Sequence, residues 1–230
     1  MELPLVVGVD GSESSLTAVD WAVDEAVRHE RPLRIVYASL WERYEGAVPS
    51  TGLTRPSEQV MAENIVGSAV ERAGRAAPSL KVTGEVIPEE AADALLREGH
   101  NAFALVTGSR GRGELAGLLL GSVGLAVAAR ARCPVIVVRG DKAGLEGTHE
   151  RILLGADDPA TGGEAARFAV REAEARGCEL DVVRAWRCPA HEGADDPRSA
   201  TQQAHHHEER AAALLDAVLH DAAADHPAVR

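Results

Sequence analysis

Ala102-Phe103-Ala104-Leu105-Val106-Thr107 runs directly into Gly108-Ser109-Arg110-Gly111-Arg112-Gly113-Glu114-Leu115-Ala116-Gly117-Leu118-Leu119-Leu120-Gly121-Ser122. The first six residues read as a strand, and Ser122 to Arg130 as a helix. Pro134-Val135-Ile136-Val137-Val138 is a second strand of the same kind. Neither strand alternates polar with apolar residues, so both faces are buried and the sheet is parallel, with helices between its strands. Working outward, Leu5-Val6-Val7-Gly8-Val9 and Leu33 to Ala38 are further strands, and Lys81 to Ile87 is strand-like. Between them, Ser12 to His29 places Leu16, Val19, Ala22, Val23, Ala26 and Val27 on one helical stripe. A polar segment through Gly46, Pro49, Gly52 and Pro56 reads as loop. The helix from about Ser57 turns Val60, Met61, Ile65, Val66, Ala69 and Val70 inward, and Pro88 opens a short helix ending near Gly99. The fold class is α/β, a doubly wound parallel sheet.

The 230 residues, 45 % hydrophobic, suffice for a core. With 24 Lys+Arg against 36 Asp+Glu, the net charge of −12 opposes binding to a phosphate backbone or an anionic membrane. No run of about 18 apolar residues spans a bilayer, and Met1-Glu2-Leu3-Pro4 has no basic leader, so a soluble cytoplasmic protein is expected. Cys133, Cys178 and Cys188 lack metal or disulfide spacing, which fits a reducing compartment.

The glycines at 108, 111 and 121, with Ser122, have the spacing Gly-x2-Gly-x9-Gly-Ser. Glycine lets backbone N–H groups approach a ligand closely, and the following helix N-terminus favours an anion. Arg110 and Arg112 add charge at the rim, and Ser122 caps the helix or donates to a phosphate. The cluster reads as a phosphate loop or as a structural turn. The Walker loop is absent, since Lys81 and Lys142 lie elsewhere, and so is GxGxxG, since Gly111-Arg112-Gly113 is followed by Gly117 and sits after the fourth strand, not the first. Asp10 closes the first strand in Gly8-Val9-Asp10-Gly11-Ser12, where an acid accepts from ribose hydroxyls in doubly wound sheets. The competing reading is a tight Asp10-Gly11 turn with Ser12 as a helix cap.

An offset of 147 pairs Gly8 with Gly155, Asp10 with Asp157, Val36 with Val183 and Ala38 with Ala185. The chain is therefore a tandem repeat, with a complete domain at 1–140, a linker at 141–150 and an incomplete copy at 151–230. That copy holds strand 1 (Arg151 to Ala156), helix 1 (Glu164 to Arg176), strand 2 (Leu180 to Ala185) and a helix from Thr201 to Ala224.

Val-Gly-Val-Asp-Gly-Ser at 7–12, the glycine spacing, and Gly121-Ser122-Val123 through Cys133-Pro134-Val135-Ile136-Val137-Val138 together resemble the universal stress protein family, in its ATP-binding branch. The resemblance implies five parallel strands in the order 3-2-1-4-5, the adenine nucleotide alpha hydrolase-like arrangement. It also implies ATP, or ADP or AMP, with Mg2+. Asp10, beside Val9, would contact ribose, and the backbone at Ala38 the adenine edge. Gly108, Ser109, Arg110, Gly111, Gly121, Ser122 and Val123 would hold the phosphates. A homodimer through Val135, Ile136, Val137 and Val138 is implied as well. The expected function is a regulatory stress-response module. A slow ATPase or phosphotransferase and a non-nucleotide dimerisation or docking module are the alternatives. No Ser/His/Asp order is readable, and no catalytic residue is assigned. His205-His206-His207 reads as a solvated helix face, and Cys133 as a small buried residue.

Overall fold

A computed structural model describes residues 2–40, 57–111, 120–140, 142–145, 148–156, 159–185, 197–224, 226 and 229. They fall into two compact units, Met1–Thr148 and His149–Arg230.

In the first unit, β1 (Leu5–Gly8), β2 (Leu33–Ala38), β3 (Val82–Ile87), β4 (Ala104–Gly108) and β5 (Val135–Val138) form one sheet in the order β3-β2-β1-β4-β5. Every pairing is parallel, with Leu5 opposite both Leu33 and Ala104, and Leu105 opposite Val135. The fold class and strand order are those expected. Strand order reverses between β1 and β4, which opens a crevice at their carboxyl ends.

The helices α1 (Glu13–Arg28) and α2 (Ser57–Ala76) cover one face over Val7, Leu33, Ile35 and Val106. The helices α3 (Ala91–Gly99) and α4 (Ser122–Arg130) cover the other over Val6, Val36 and Leu105. The central strands β1 and β4 therefore bury both faces, which explains their uninterrupted apolar runs, whereas β3 at the sheet edge is largely exposed at Thr83, Gly84 and Glu85. Arg34 of β2 bridges Glu98 and Glu85, at 2.6 and 2.5 Å.

Several helical details differ from expectation. On α1, Val27 is exposed and Ala18 lies in the buried stripe, because the stripe is centred near Ala22, from which Ala18 is about 40° and Val27 about 140° round the helix. On α2, Val60 and Met61 are exposed; the packed stripe is Ala62, Val66, Ala69 and Ala73, with Ile65 and Val70 half-buried. Alanines lie closest to the sheet there, so the most hydrophobic positions are not the innermost. Pro88 stands outside α3, whose cap is Glu90, its carboxylate accepting from the amides of Ala92 and Asp93. The strands begin later than read at Lys81, Ala102 and Pro134.

After β5 comes a single turn, α5 (Lys142–Leu145), whose Leu145 packs on the first core. The second unit contains β6 (Arg151–Gly155), α6 (Pro159–Arg176), β7 (Glu179–Val183) and α7 (Pro197–Ala224). β6 and β7 pair in parallel, Ile152 opposite Leu180. Their core is Leu154, Ala156, Ala166, Ala169, Val170, Val218 and Ala222. Both helices start earlier than expected, α6 with Pro159 at its first position, where proline's missing N–H costs nothing. His205 and His206 are exposed on α7. Among the described residues no helix is long and apolar enough to cross a membrane.

Candidate functional site

The site is built where β1 and β4 end. Val9 leaves β1 with its amide donating to the Val36 carbonyl at 2.9 Å. The chain then turns through Asp10 and Gly11, the latter at φ 81°, into Ser12, the N-cap of α1. Asp10 Oδ1 accepts from the Ser12 amide at 2.9 Å and from the Ser12 hydroxyl at 2.6 Å. Ser12 Oγ in turn accepts from the Ser15 amide at 3.2 Å. The turn-and-cap reading is thus correct, and it is also what fixes the Asp10 carboxylate at the crevice.

Across the crevice, β4 ends at Gly108, pressed against α1. A Cβ there would lie 2.6 Å from Ser14 Oγ and 2.7 Å from the Ser14 carbonyl oxygen, so only glycine fits. The Arg110 amide donates to Ser14 Oγ at 3.3 Å. Gly111 then faces Asp10, where a Cβ would meet Oδ2 at 2.8 Å.

The loop rejoins the fold at Gly121, whose amide donates to the Ser109 carbonyl at 2.9 Å. Gly121 is the N-cap of α4, with no side-chain cap bond. Ser122 is the first residue inside the helix, so the expectation that Ser122 caps α4 is corrected: a cap must precede the first helical residue. The first-turn amides are left to a ligand or to water, at the positive end of the helix.

These segments enclose a cavity of about 480 Å³, within the range of small-molecule sites. Of the residues named from sequence, Val9, Asp10, Ala38, Gly108, Arg110, Gly111, Gly121, Ser122 and Val123 line it. Ser109 does not; its amide and carbonyl are engaged with Val138 and Gly121. Among the described residues, Asp10 and Arg110 are the charged side chains that line it, and Arg110 is exposed without an ion-pair partner there. Val36, Ala38, Ala91 and Leu95 make the opposite wall apolar.

Sequence reasoning missed Ser15, Leu95, Thr107, Leu120, Gly124 and Leu125, all of which line the cavity. Thr107 carried a signal: it is the one polar residue at the end of an apolar strand. It is 5 % exposed, and its Oγ1 has no hydrogen-bond partner among the described residues. Arg112, the segment 41–56, Asp157 and Cys188 lie outside the described residues. Cys133 is half-buried beside Leu105, and burial pushes its thiol pKa up.

A parallel sheet with a crevice at its switch point defines a doubly wound α/β protein. The universal stress protein family model matches residues 3–139 and 148–230, and the chain belongs to that family. A universal stress protein of Mycobacterium tuberculosis, strain H37Rv, is 32 % identical over 202 residues, covering 80 % of this chain and 63 % of the relative. A second from the same strain is 38 % identical over 138 residues, covering 60 % of this chain and 46 % of the relative. This chain thus spans less than two thirds of the length of either relative. The crystal structure of a universal stress protein from Archaeoglobus fulgidus is similar at a TM-score of 0.60 and 17 % identity. That likeness covers 87 % of this chain and 71 % of the other and shows the shared fold.

Proposed function

We propose that the first unit binds an adenine nucleotide, ATP or its di- or monophosphate, and that the chain is a cytoplasmic regulatory module of the stress response. The observation that carries this reading is the cavity itself. One wall presents amides, a glycine cradle and the Arg110 cation, the chemistry of a phosphate site. Asp10 stands opposite as an acceptor suited to ribose hydroxyls. An apolar wall ending at Ala38 leaves a slot for a base.

Two features support an anion here: the first turn of α4, which has no side-chain cap, and a buried Thr107 hydroxyl without a hydrogen-bond partner among the described residues. Magnesium would enter with the polyphosphate and neutralise part of its charge. Residues 1–140 are proposed as the nucleotide domain, 141–150 as the linker and 151–230 as a second, partial domain. We also propose a homodimer through β5, which lies at the sheet edge with Val135, Ile136 and Val137 half-exposed, since an edge strand offers unpaired backbone groups.

Calorimetry of ATP with magnesium against the full chain tests the reading, with Gly121→Asp as control. Binding in the micromolar range, abolished by the added carboxylate at the cap of α4, is expected. A chain that binds no adenine nucleotide would leave a docking module whose glycine loop is only a turn.

A further inference from the structure

We propose that Thr107 is a phosphate-reading residue of this site, its hydroxyl left unpaired in the free protein and satisfied only by ligand. The inference rests on the nucleotide reading above and goes beyond it in naming a determinant that no motif contains.

Thr107 stands at the end of β4, on the sheet face covered by α3 and α4. It is nine-tenths buried, it lines the cavity, and its Oγ1 is closed to solvent without a hydrogen-bond partner among the described residues. Buried hydroxyls are nearly always paired, because an unpaired one forfeits the bonds it made to water. Gly124 lies above this oxygen: a Cβ there would sit 3.5 Å away, in ordinary contact. The position thus belongs to the first turn of α4, where amides without a side-chain cap already point at the cavity.

Threonine's hydroxyl and methyl occupy neighbouring χ1 wells, about 120° apart. A χ1 rotation can therefore carry the hydroxyl away from Gly124, and a bound phosphate would draw it toward the cavity that Thr107 lines. With the first-turn amides of α4, the Thr107 hydroxyl then adds a donor to that end of the cavity, while the charged acceptor among the lining side chains is Asp10. Donors gathered at a helix N-terminus suit the acceptor oxygens of a phosphate.

The test compares wild type, Thr107→Val and Thr107→Ser in the full chain, by calorimetry with magnesium ATP and with adenosine and by melting of the free protein. Valine should weaken ATP binding about tenfold, the scale of one hydrogen bond to a charged group, while the free protein melts at or above the wild-type temperature. Serine should restore ATP affinity to within about threefold of wild type, and adenosine should not distinguish valine from wild type. ATP affinity unchanged by valine, a lowered melting temperature for the free valine variant, no rescue by serine, or an equal loss with adenosine would each overturn the proposal. Failure of the wild type to bind ATP is a different result: it removes the nucleotide reading and this inference with it.

Discussion

The Cβ that Gly111 lacks would stand 2.8 Å from Oδ2 of Asp10, so the glycine loop and the first-strand acid meet across the crevice. A carboxylate ordinarily yields to such an approach by rotating. Here Oδ1 is held by the Ser12 amide and hydroxyl, so rotation breaks two bonds. Gly111→Ala is expected to displace the carboxylate and to lower ATP affinity at least about tenfold. Gly111 itself is exposed, and the melting temperature of the free protein should move little. Calorimetry paired with a thermal melt checks both halves; a variant that binds normally would mean the carboxylate is not part of the site.

Asp10 is the acceptor of the turn before α1 as well as the proposed ribose acceptor, and substitution can separate the two. As the acceptor of the turn before α1, it organises the helix entrance, and losing it costs about 1 kcal/mol of stability. Asn keeps an acceptor oxygen for the Ser12 amide but removes the charge. Asp10→Asn should therefore unfold within about 0.5 kcal/mol of wild type, and Asp10→Ala should fall clearly below both. Urea denaturation orders the three. Equal stability for alanine and asparagine would show that the turn does not depend on this acceptor.

The fold was legible because parallel strands announce themselves: Leu5–Gly8 and Ala104–Val106 are buried on both faces and carry no alternation. The two ends of the site were legible for a related reason, since glycines after a strand and an acid ending another are chain-local features. What stayed hidden depends on the third dimension. Val60 and Met61 are apolar yet exposed, because the face of α2 turned to the sheet runs through Ala62, Val66, Ala69 and Ala73. Ser109 sits inside the motif, yet its backbone is spent on Val138 and Gly121. Thr107 is outside the motif and reaches the cavity through strand geometry, which only the register with α4 reveals.

The Cys133 thiol, half-buried beside Leu105, has its pKa raised, burial outweighing the opposing backbone hydrogen bonds. A pKa higher in the folded chain than in the unfolded one contributes stability below the unfolded value, about 8.5. That contribution is lost as pH rises through the folded value. Alkylation by iodoacetamide, followed on the Cys133 peptide, should therefore reach half its maximal rate at higher pH in the native protein than in urea. Coincident profiles would place the thiol in water.

On one face of the strands, positions 147 residues apart have opposite surroundings. Val6 and Val36 are 0 % and 1 % exposed beneath α3 and α4, whereas their counterparts Leu153 and Val183 are 65 % and 47 % exposed. Gly8 has Leu95 Cδ1 at 3.0 Å from where its Cβ would be, while Gly155 has nothing within 4 Å. The same strand pattern thus carries a packing demand in the first unit that the described second unit does not make. Val6→Ala should cost about 1–3 kcal/mol through lost burial and a residual cavity. Leu153→Ala should stay within about 0.5 kcal/mol of wild type. Leu153→Lys, which removes an exposed leucine, should raise the solubility limit and leave ATP affinity unchanged. Denaturant midpoints and a precipitation assay measure these outcomes. A Leu153→Ala loss as large as that of Val6→Ala would show that the face of β6 and β7 is covered in solution.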